Sequence, residues 1–472
     1  MPEDTGKHMA FLLSGYRRKD VDLVDTKQEF MRTKPVFRML VSMAVPMMLS
    51  MFIQSLYNIV DSIYVAKLGT DALTAVSLAF PLQNALLSVS VGIGVGINSA
   101  IAINLGAKKY ENANKAATIG MFLTLIHCVL FVIFGLLITH PFLSMFTKDA
   151  QTMQWASQYT YIVLCCSFGQ LLQIAMEKIF QAIGDMTTTM LLMGSGCIIN
   201  IILDPIFIFV LKMEVAGAAV ATVIGQICAF FLYIIVYKKK RISVQIHRKY
   251  LCFDKAIIKQ IYFVGIPSSI MLALPSVLVG ILNGILAQFN QVYVAVLGIY
   301  FKLQTFIYMP ASGVVQGMRP IVSYNYGAGE IHRVKKTVNY SLLIVAVIML
   351  IGTIGALAFP QQILTIFNSD SKLIEYGVVA LQVISLGFLV SSVGVVYSGT
   401  FEALGKGKES LTISLLRQFV IIIPLGFLLS QWIGPLGIWI SFPISECIAT
   451  VVAYILLRCT YRKYESQNSS LS

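Results

Sequence analysis

The sequence predicts an all-α polytopic membrane protein with twelve transmembrane helices, in two six-helix lobes related by a parallel repeat. Three observations support this fold class. The 472 residues are 57% hydrophobic but only 12% charged, about half the charged fraction of a soluble domain. Twelve apolar segments are each long enough to cross a bilayer. Short motifs in the first half of the chain recur in the second half at one fixed offset.

The predicted spans follow from hydropathy and from the polar residues that interrupt it. Several approach 30 residues, so we expect tilted or bent helices. The spans cover residues 37–66, 71–103, 113–140, 153–180, 187–211, 215–237, 257–288, 293–322, 333–359, 373–402, 409–431 and 434–457. The domains follow from them: a cytoplasmic N-terminal tail (1–36), an N-lobe (37–237), a cytoplasmic linker (238–256), a C-lobe (257–457) and a cytoplasmic C-terminal tail (458–472).

The basic residues predict the orientation. Thirty Lys and Arg are assigned to the side of the termini, Lys302 lies within span 8, and only Lys67, Lys148, Lys212 and Lys372 fall on the other side. Because cytoplasmic loops are enriched in Lys and Arg, both termini are predicted to be cytoplasmic. The net charge of +13 therefore reflects topology and does not indicate a nucleic-acid partner.

The repeat has an offset of 221 residues. Asn104-Leu105-Gly106-Ala107 recurs as Asn325-Tyr326-Gly327-Ala328. The same offset pairs Pro46 with Pro267, Gly92 with Gly313, Gly96 with Gly317, and 182–184 with 403–405. Six spans repeated in one orientation give two bundles related by an axis along the membrane normal, an arrangement suited to alternating access.

Span 5 contains a carboxylate at membrane depth. Asp204 follows Asn200 by one helical turn, so both side chains lie on one face, and Pro205 can loosen the backbone beside them. An ionisable group there costs at least about 2.5–3.5 kcal/mol, which makes a functional role the leading interpretation. Capping of a broken helix, or pairing with a buried polar group, is the structural alternative.

Span 1 contains a second acid at a similar depth. Gln54, Tyr57 and Asp61 share one face, beside Asn58. Neighbouring carboxylates in a medium of low dielectric constant resist being charged together, which favours an exchangeable proton. With Asn200, the same oxygens are also suitable ligands for a hard cation such as Na⁺. The alternative is that the two acids are separate structural polar groups that do not interact.

The C-lobe lacks this acid pair, because the offset places Leu282 opposite Asp61. Glu446, central in span 12, is its remaining deep acid. Glu446 and Asn58 are therefore candidates to bind a cationic substrate, although Glu446 could instead pair with Lys302. The content of Phe, Tyr and Met suits a binding site whose walls adapt to different compounds, but composition alone does not identify such a site.

Motifs for other chemistry are missing. The sequence contains no P-loop, HExxH or GxSxG, so neither ATP-driven transport nor enzyme activity is indicated. The eight cysteines show no CxxC spacing, which argues against a disulfide framework or a zinc site.

Five segments carry a resemblance to a known family. They are YNIVDSIYVAKLGTDALTAVSLAFP at 57–81, NLGAKKYENANKA at 104–116, QAIGD at 181–185, NIILDP at 200–205 and GAAVATVIGQ at 217–226. In order and spacing they resemble the multidrug and toxic compound extrusion (MATE) family. The resemblance implies a secondary multidrug exporter without cofactor, which antiports amphipathic, mostly cationic compounds against H⁺ or Na⁺. We expect a monomer in a bacterial cytoplasmic membrane.

The resemblance also implies site residues. The family's helix-1 acid and glutamine fall on Asp61 and Gln54, and its helix-5 pair falls on Asn200 and Asp204. Its helix-4 tyrosine and helix-6 threonine fall on Tyr159 and Thr222. Span 7 contains no acid after Asp254. This makes the chain similar to the bacterial branch of the family, in which the cation that drives transport binds in the N-lobe. A lipid-linked oligosaccharide flippase of the same superfamily, or a non-transporting receptor or channel, are the alternatives.

Overall fold

The computed structural model describes residues 29–240, 242–367 and 370–469, and every regular element in these ranges is a helix. Eleven helices are long and apolar enough to span a membrane, and a pair bent by 44° supplies a twelfth span. The predicted all-α fold with twelve spans is therefore confirmed. The predicted tail up to residue 28, Arg241 of the predicted linker and residues 470–472 lie outside the described residues.

We number the spans α1 to α12 in chain order. Most extend the predicted limits by one to five residues. The spans are α1 (Val36–Ala66), α2 (Thr70–Gly106), α3 (Tyr110–Ser144), α4 (Ala150–Cys165 and Phe168–Ala182), α5 (Met186–Pro205, continued by a π-helical turn at Ile206–Val210), α6 (Glu214–Lys240), α7 (Lys255–Leu286), α8 (Gln291–Gly327), α9 (Ile331–Ala358), α10 (Ser371–Ala403), α11 (Gly407–Ile433, with a π-helical turn at Leu416–Val420) and α12 (Pro435–Ser469).

Several spans begin at an Asp or Asn whose side chain accepts from a backbone N–H of the first turn, which is the usual N-cap. Asp149 accepts from the amide of Thr152 at 2.7 Å at the start of α4. This hydrogen bond holds the pKa of the exposed Asp149 carboxyl below its ordinary value. Asp185, Asp254, Asn290 and Asp370 cap α5, α7, α8 and α10 in the same way.

The repeat is visible in the backbone. Gly184 and Gly405, which follow α4 and α10, both have positive φ, at 81° and 75°. Lys108 and Gly329, which follow α2 and α8, also share this conformation, at 58° and 81°. Both pairs are separated by the sequence offset, and in each case the left-handed residue ends a helix, as is common at C-caps. The two halves therefore turn alike at equivalent points.

The two lobes meet through glycines of four spans. Gly92 and Gly96 of α2 face α7, where an added methyl group at Gly96 would lie 2.2 Å from the carbonyl oxygen of Ile261. Gly313 and Gly317 of α8 face α1 in the equivalent way. Methyl groups there would lie 2.7 Å from the Cα atoms of Met48 and Ala44. Small residues allow this close approach of helix backbones.

The contact is tightest at the side that holds both chain termini, here called the terminal side. A methyl group at Gly106 would lie 1.9 Å from the carbonyl oxygen of Tyr324, and one at Gly327 would lie 2.0 Å from that of Ile103. Towards the opposite, distal side, methyl groups at Gly280, Gly284 or Gly298 would meet no atom within 4 Å. The lobes are thus packed together at the terminal side, whereas these distal glycines border open space.

We expect Gly106→Ala to disfavour this closed arrangement, because the added methyl group collides with backbone that cannot rotate away. In a background without native cysteines, a cysteine at Ser62 of α1, which is exposed in this state, should then react several-fold more slowly with an impermeant thiol reagent. Gly284→Ala is the matched control and should leave the rate unchanged. Equal labelling of the parent protein and of its Gly106→Ala and Gly284→Ala variants would show that Gly106 does not determine which side of the protein is closed.

A short helix, Phe30–Thr33, connects the lobes on the terminal side. Its Met31 is fully buried, with Cε 2.6 Å from the position of a methyl group on Gly184 of the N-lobe. Arg333 of the C-lobe donates to the carbonyl oxygens of Met31 and Lys34, at 3.2 and 2.7 Å. The segment before α1 therefore holds the two lobes together on the terminal side, in addition to the contacts at the glycines.

Three basic residues that the sequence analysis assigned to the terminal side lie inside spans instead. Lys178 is buried in α4 and pairs with Glu177, with Nζ and Oε1 2.9 Å apart. Arg319 of α8 pairs with the buried Glu402 of α10. Arg417 is buried in α11. Removing these three from the count leaves the excess of basic residues on the terminal side large.

Candidate functional site

The candidate site lies in the N-lobe, where α1, α4, α5 and α6 meet. Asp204 of α5 is fully buried, and Asp61 of α1 is half-buried. Their carboxyl groups are close enough to interact directly. The prediction that helices of one lobe bring the two acids together therefore agrees with the structure.

The pair lacks donors. No N–H or O–H group of the described residues donates to Asp61 Oδ1 or to either carboxyl oxygen of Asp204, and Asn200 Oδ1 is equally unpaired. A buried polar atom without a partner costs about 1–3 kcal/mol, and more if it is charged. Two facing carboxylates would repel each other in addition. A proton shared between the two acids would remove this repulsion, and a cation bound by these oxygens would in addition occupy the unpaired Asn200 oxygen.

The polar neighbours of the pair are held in place by one another. Asn200 Nδ2 donates to Thr222 Oγ1 of α6 at 3.2 Å, and the Tyr57 hydroxyl lies 3.5 Å from the same oxygen. These bonds leave the Asn200 oxygen free for a ligand. Tyr159 of α4 donates to Gln83 of α2 at 3.4 Å. Both tyrosines lie close enough to the two carboxyl groups to interact with their charge.

Two local features of the chain create this geometry. Pro205 cannot donate a backbone hydrogen bond, and directly after it α5 widens into the π-helical turn at Ile206–Val210. Such turns are frequent at functional sites. On α6, Gly225 packs against α5, where an added methyl group would lie 2.9 Å from the carbonyl oxygen of Gly196. This close approach lets Asn200 reach Thr222.

Two further predicted residues lie on α1. Gln54 is half-buried two turns before Asp61, on the same face, but forms no hydrogen bond to any described residue of the cluster. The Asn58 side chain is exposed. The assignment of roles to Asp61, Asn200, Asp204, Gln54, Tyr57, Tyr159 and Thr222 stays a prediction, as does Asn58 as a substrate contact.

For Glu446, the suggested pairing with Lys302 was wrong. Glu446 pairs with Arg417, whose Nε lies 2.8 Å from Oε2 and whose terminal nitrogen donates to Oε1 at 2.9 Å. Gly394 of α10 makes room for this guanidinium, since a methyl group there would lie 2.9 Å from Arg417 Cδ. A half-buried glutamate already matched by an arginine is a weaker candidate for binding a cationic substrate.

Sequence reasoning missed Gln83 and misplaced Arg417. Gln83 was not among the predicted site residues, although a polar side chain within an apolar span is itself a signal. Arg417 lies inside the predicted span 409–431 but was counted with the loops. Testing each charged residue against the span limits would have found it.

The family model described as MatE matches residues 46–206 and again residues 267–428. The chain belongs to the MatE family. Its members are transporters, so this protein is a transporter and not an enzyme. The two matches begin 221 residues apart, which is the offset of the sequence repeat, and thereby confirm that the halves are related.

Individual relatives cover nearly the whole transporter. The multidrug export protein MepA of Staphylococcus haemolyticus is 26% identical over 448 residues, which are 95% of this chain and 99% of the relative. MepA of a Staphylococcus aureus strain is 25% identical over 438 residues, 92% of this chain and 96% of the relative. A solved structure, described as the outward-facing conformation of a multidrug resistance MATE family transporter, is 26% identical with a TM-score of 0.88, covering 93% of this chain and 99% of that one.

Proposed function

We propose that this transporter exports amphipathic, mostly cationic organic compounds by alternating access, in exchange for H⁺ or Na⁺ at the Asp61–Asp204 pair. The observation that carries this proposal is the set of unpaired oxygens on Asp61, Asn200 and Asp204. A structural acid is normally hydrogen-bonded when buried, whereas a coupling site must keep its oxygens available. The relatives named as multidrug exporters support the same substrate class.

The lobes supply the conformational change in this proposal. The state described here is closed at the terminal side and open at the distal side, so the opposite state requires the glycine contacts of α1, α2, α7 and α8 to separate. Substrate and cation would compete for the N-lobe site. The two lobes would then rock against each other, so that the cation site becomes accessible first from one side of the membrane and then from the other.

We propose that the terminal side faces the cytoplasm, so that the open cleft faces outwards. We expect a cysteine at Lys148, exposed between α3 and α4, to react with an impermeant thiol reagent added to intact cells. Native Cys252, exposed on the linker, is the internal control and should react only after permeabilisation. The reverse pattern of labelling would overturn the orientation.

Transport by the purified protein in lipid vesicles tests the function. A proton gradient and a sodium gradient of equal size are imposed in turn, and uptake of a fluorescent cationic dye is followed. We expect one of the two gradients to concentrate the dye in the compartment that holds more of the coupling ion. If the dye only equilibrates passively under both gradients, the protein is not a coupled exporter of such cations.

A further inference from the structure

The deep basic side chains of the spans differ in their partners. Lys178, Arg319 and Arg417 each pair with a glutamate. Lys302 of α8 has no ion pair or hydrogen bond to any described residue, and its side chain is exposed. An unpaired ammonium group at membrane depth is costly unless it faces water, and usually marks a functional position.

Lys302 lies too deep to reach the distal membrane surface. Tyr293 of α8 and Tyr376 of α10 form an aromatic pair near the distal ends of their spans, with ring centroids 4.9 Å apart. Aromatic residues concentrate at the membrane interface. Lys302 comes nine residues after Tyr293, which is about 13 Å along the helix. A lysine side chain does not bridge that distance to the headgroups.

The helix phase directs Lys302 towards the N-lobe. It precedes Gly313, which packs on Met48 of α1, by eleven residues, or just over three full turns, so both lie on one face. Ala295, Gly298 and Phe306 belong to the same face, and all are exposed. The face of α8 that contacts α1 on the terminal side therefore continues on the distal side, where it forms a wall of the open cleft.

The partner helix gives the level of Lys302 in the cleft. α1 and α8 run in opposite directions, with Gly313 at Met48 and Gly317 at Ala44. Eleven residues further along α1 from Met48 is Ile59, next to Asn58 and two residues from Asp61. The lysine thus stands across the cleft from the entrance to the carboxylate site, at the same depth.

We infer that Lys302 selects substrates by charge, binding a carboxylate on amphipathic compounds whose cationic group is drawn to the N-lobe acids. The exposed ring of Phe306, one turn away on the same face, suits an aromatic body between the two charges. The favoured substrate class is then a zwitterion, and compounds with a second positive charge are repelled by the lysine. This inference rests on the proposed function, whose substrates it specifies further.

A matched pair of dyes tests the inference. Rhodamine 110 carries a free carboxylate, and rhodamine 123 is its cationic methyl ester. Equilibrium binding of both to the purified protein is measured by fluorescence polarisation, and the ratio of their Kd values is compared between variants. This ratio does not depend on the amount of folded protein. Because it needs no ion gradient, the test is also separate from transport.

We expect wild type to favour the acid and Lys302→Gln to lose that preference by about tenfold, the factor that corresponds to 1.4 kcal/mol. Lys302→Arg, which keeps the charge, should preserve it. An unchanged ratio in Lys302→Gln, or failure of the acid to bind to wild type, would overturn the inference. Absence of gradient-driven uptake despite a normal ratio would instead count against the proposed function.

Discussion

We expect Asp61→Asn and Asp204→Asn each to abolish uphill transport in a protein that still folds and inserts. Asparagine keeps the size of aspartate and much of its hydrogen bonding but cannot exchange a proton, and it binds cations weakly. A buried structural acid would tolerate this change well, because burying an unpaired charge is itself unfavourable. Gradient-driven dye accumulation in vesicles is the measurement.

Two controls define the outcome. Glu375→Gln removes an exposed carboxylate at the distal end of α10 and should leave transport unchanged. Downhill movement of dye should persist in both single mutants if they bind substrate and change conformation without coupling. Accumulation at wild-type rates in both mutants would mean that the acid pair is structural.

The second large effect concerns Arg417 and Glu446. Glu446→Ala leaves a buried guanidinium without its counter-charge, and breaking such a pair costs about 3–5 kcal/mol. We expect a strong loss of folded protein, measured as the monodisperse fraction after heating in detergent. Replacing both partners by apolar residues, Arg417→Met with Glu446→Leu, should recover much of that stability, because no unpaired charge is left.

This comparison decides the role of Glu446. Glu375→Ala, at an exposed acid, is the control for loss of a carboxylate and should be as stable as wild type. If Glu446→Ala is stable but loses binding of cationic dyes, then the glutamate contacts substrate, and the ion pair with Arg417 is secondary.

The spans, the repeat and the N-lobe acids were predictable because each leaves a local signal. Length and hydropathy define a span, and helical spacing places Asn200 and Asp204 on one face. The depth of Asp61 and Asp204 could be counted from Lys67 and Lys212. Because the two acids lie at equal depth on helices of one bundle, their carboxyl groups could be expected to face each other without knowledge of the contacts.

The remaining features depend on contacts between distant segments. Arg417 and Glu446 are 29 residues apart on adjacent spans, and their pairing depends on the π-helical turn at Leu416–Val420 and on the space at Gly394. Neither is visible in hydropathy. The repeat identified Gly92 and Gly313, but only the packed structure shows that they form the contact between the lobes.

Cation release on substrate binding tests the central claim most directly. Because coupling between two ligands is reciprocal, a substrate that displaces a proton or Na⁺ from the Asp61–Asp204 pair must bind more weakly as that ion becomes more concentrated. We expect purified wild-type protein in weakly buffered solution to release H⁺ or Na⁺ when substrate is added, and both Asn variants to release none. Substrate binding to wild type without release of either ion, and with an affinity independent of pH and Na⁺, would contradict the account.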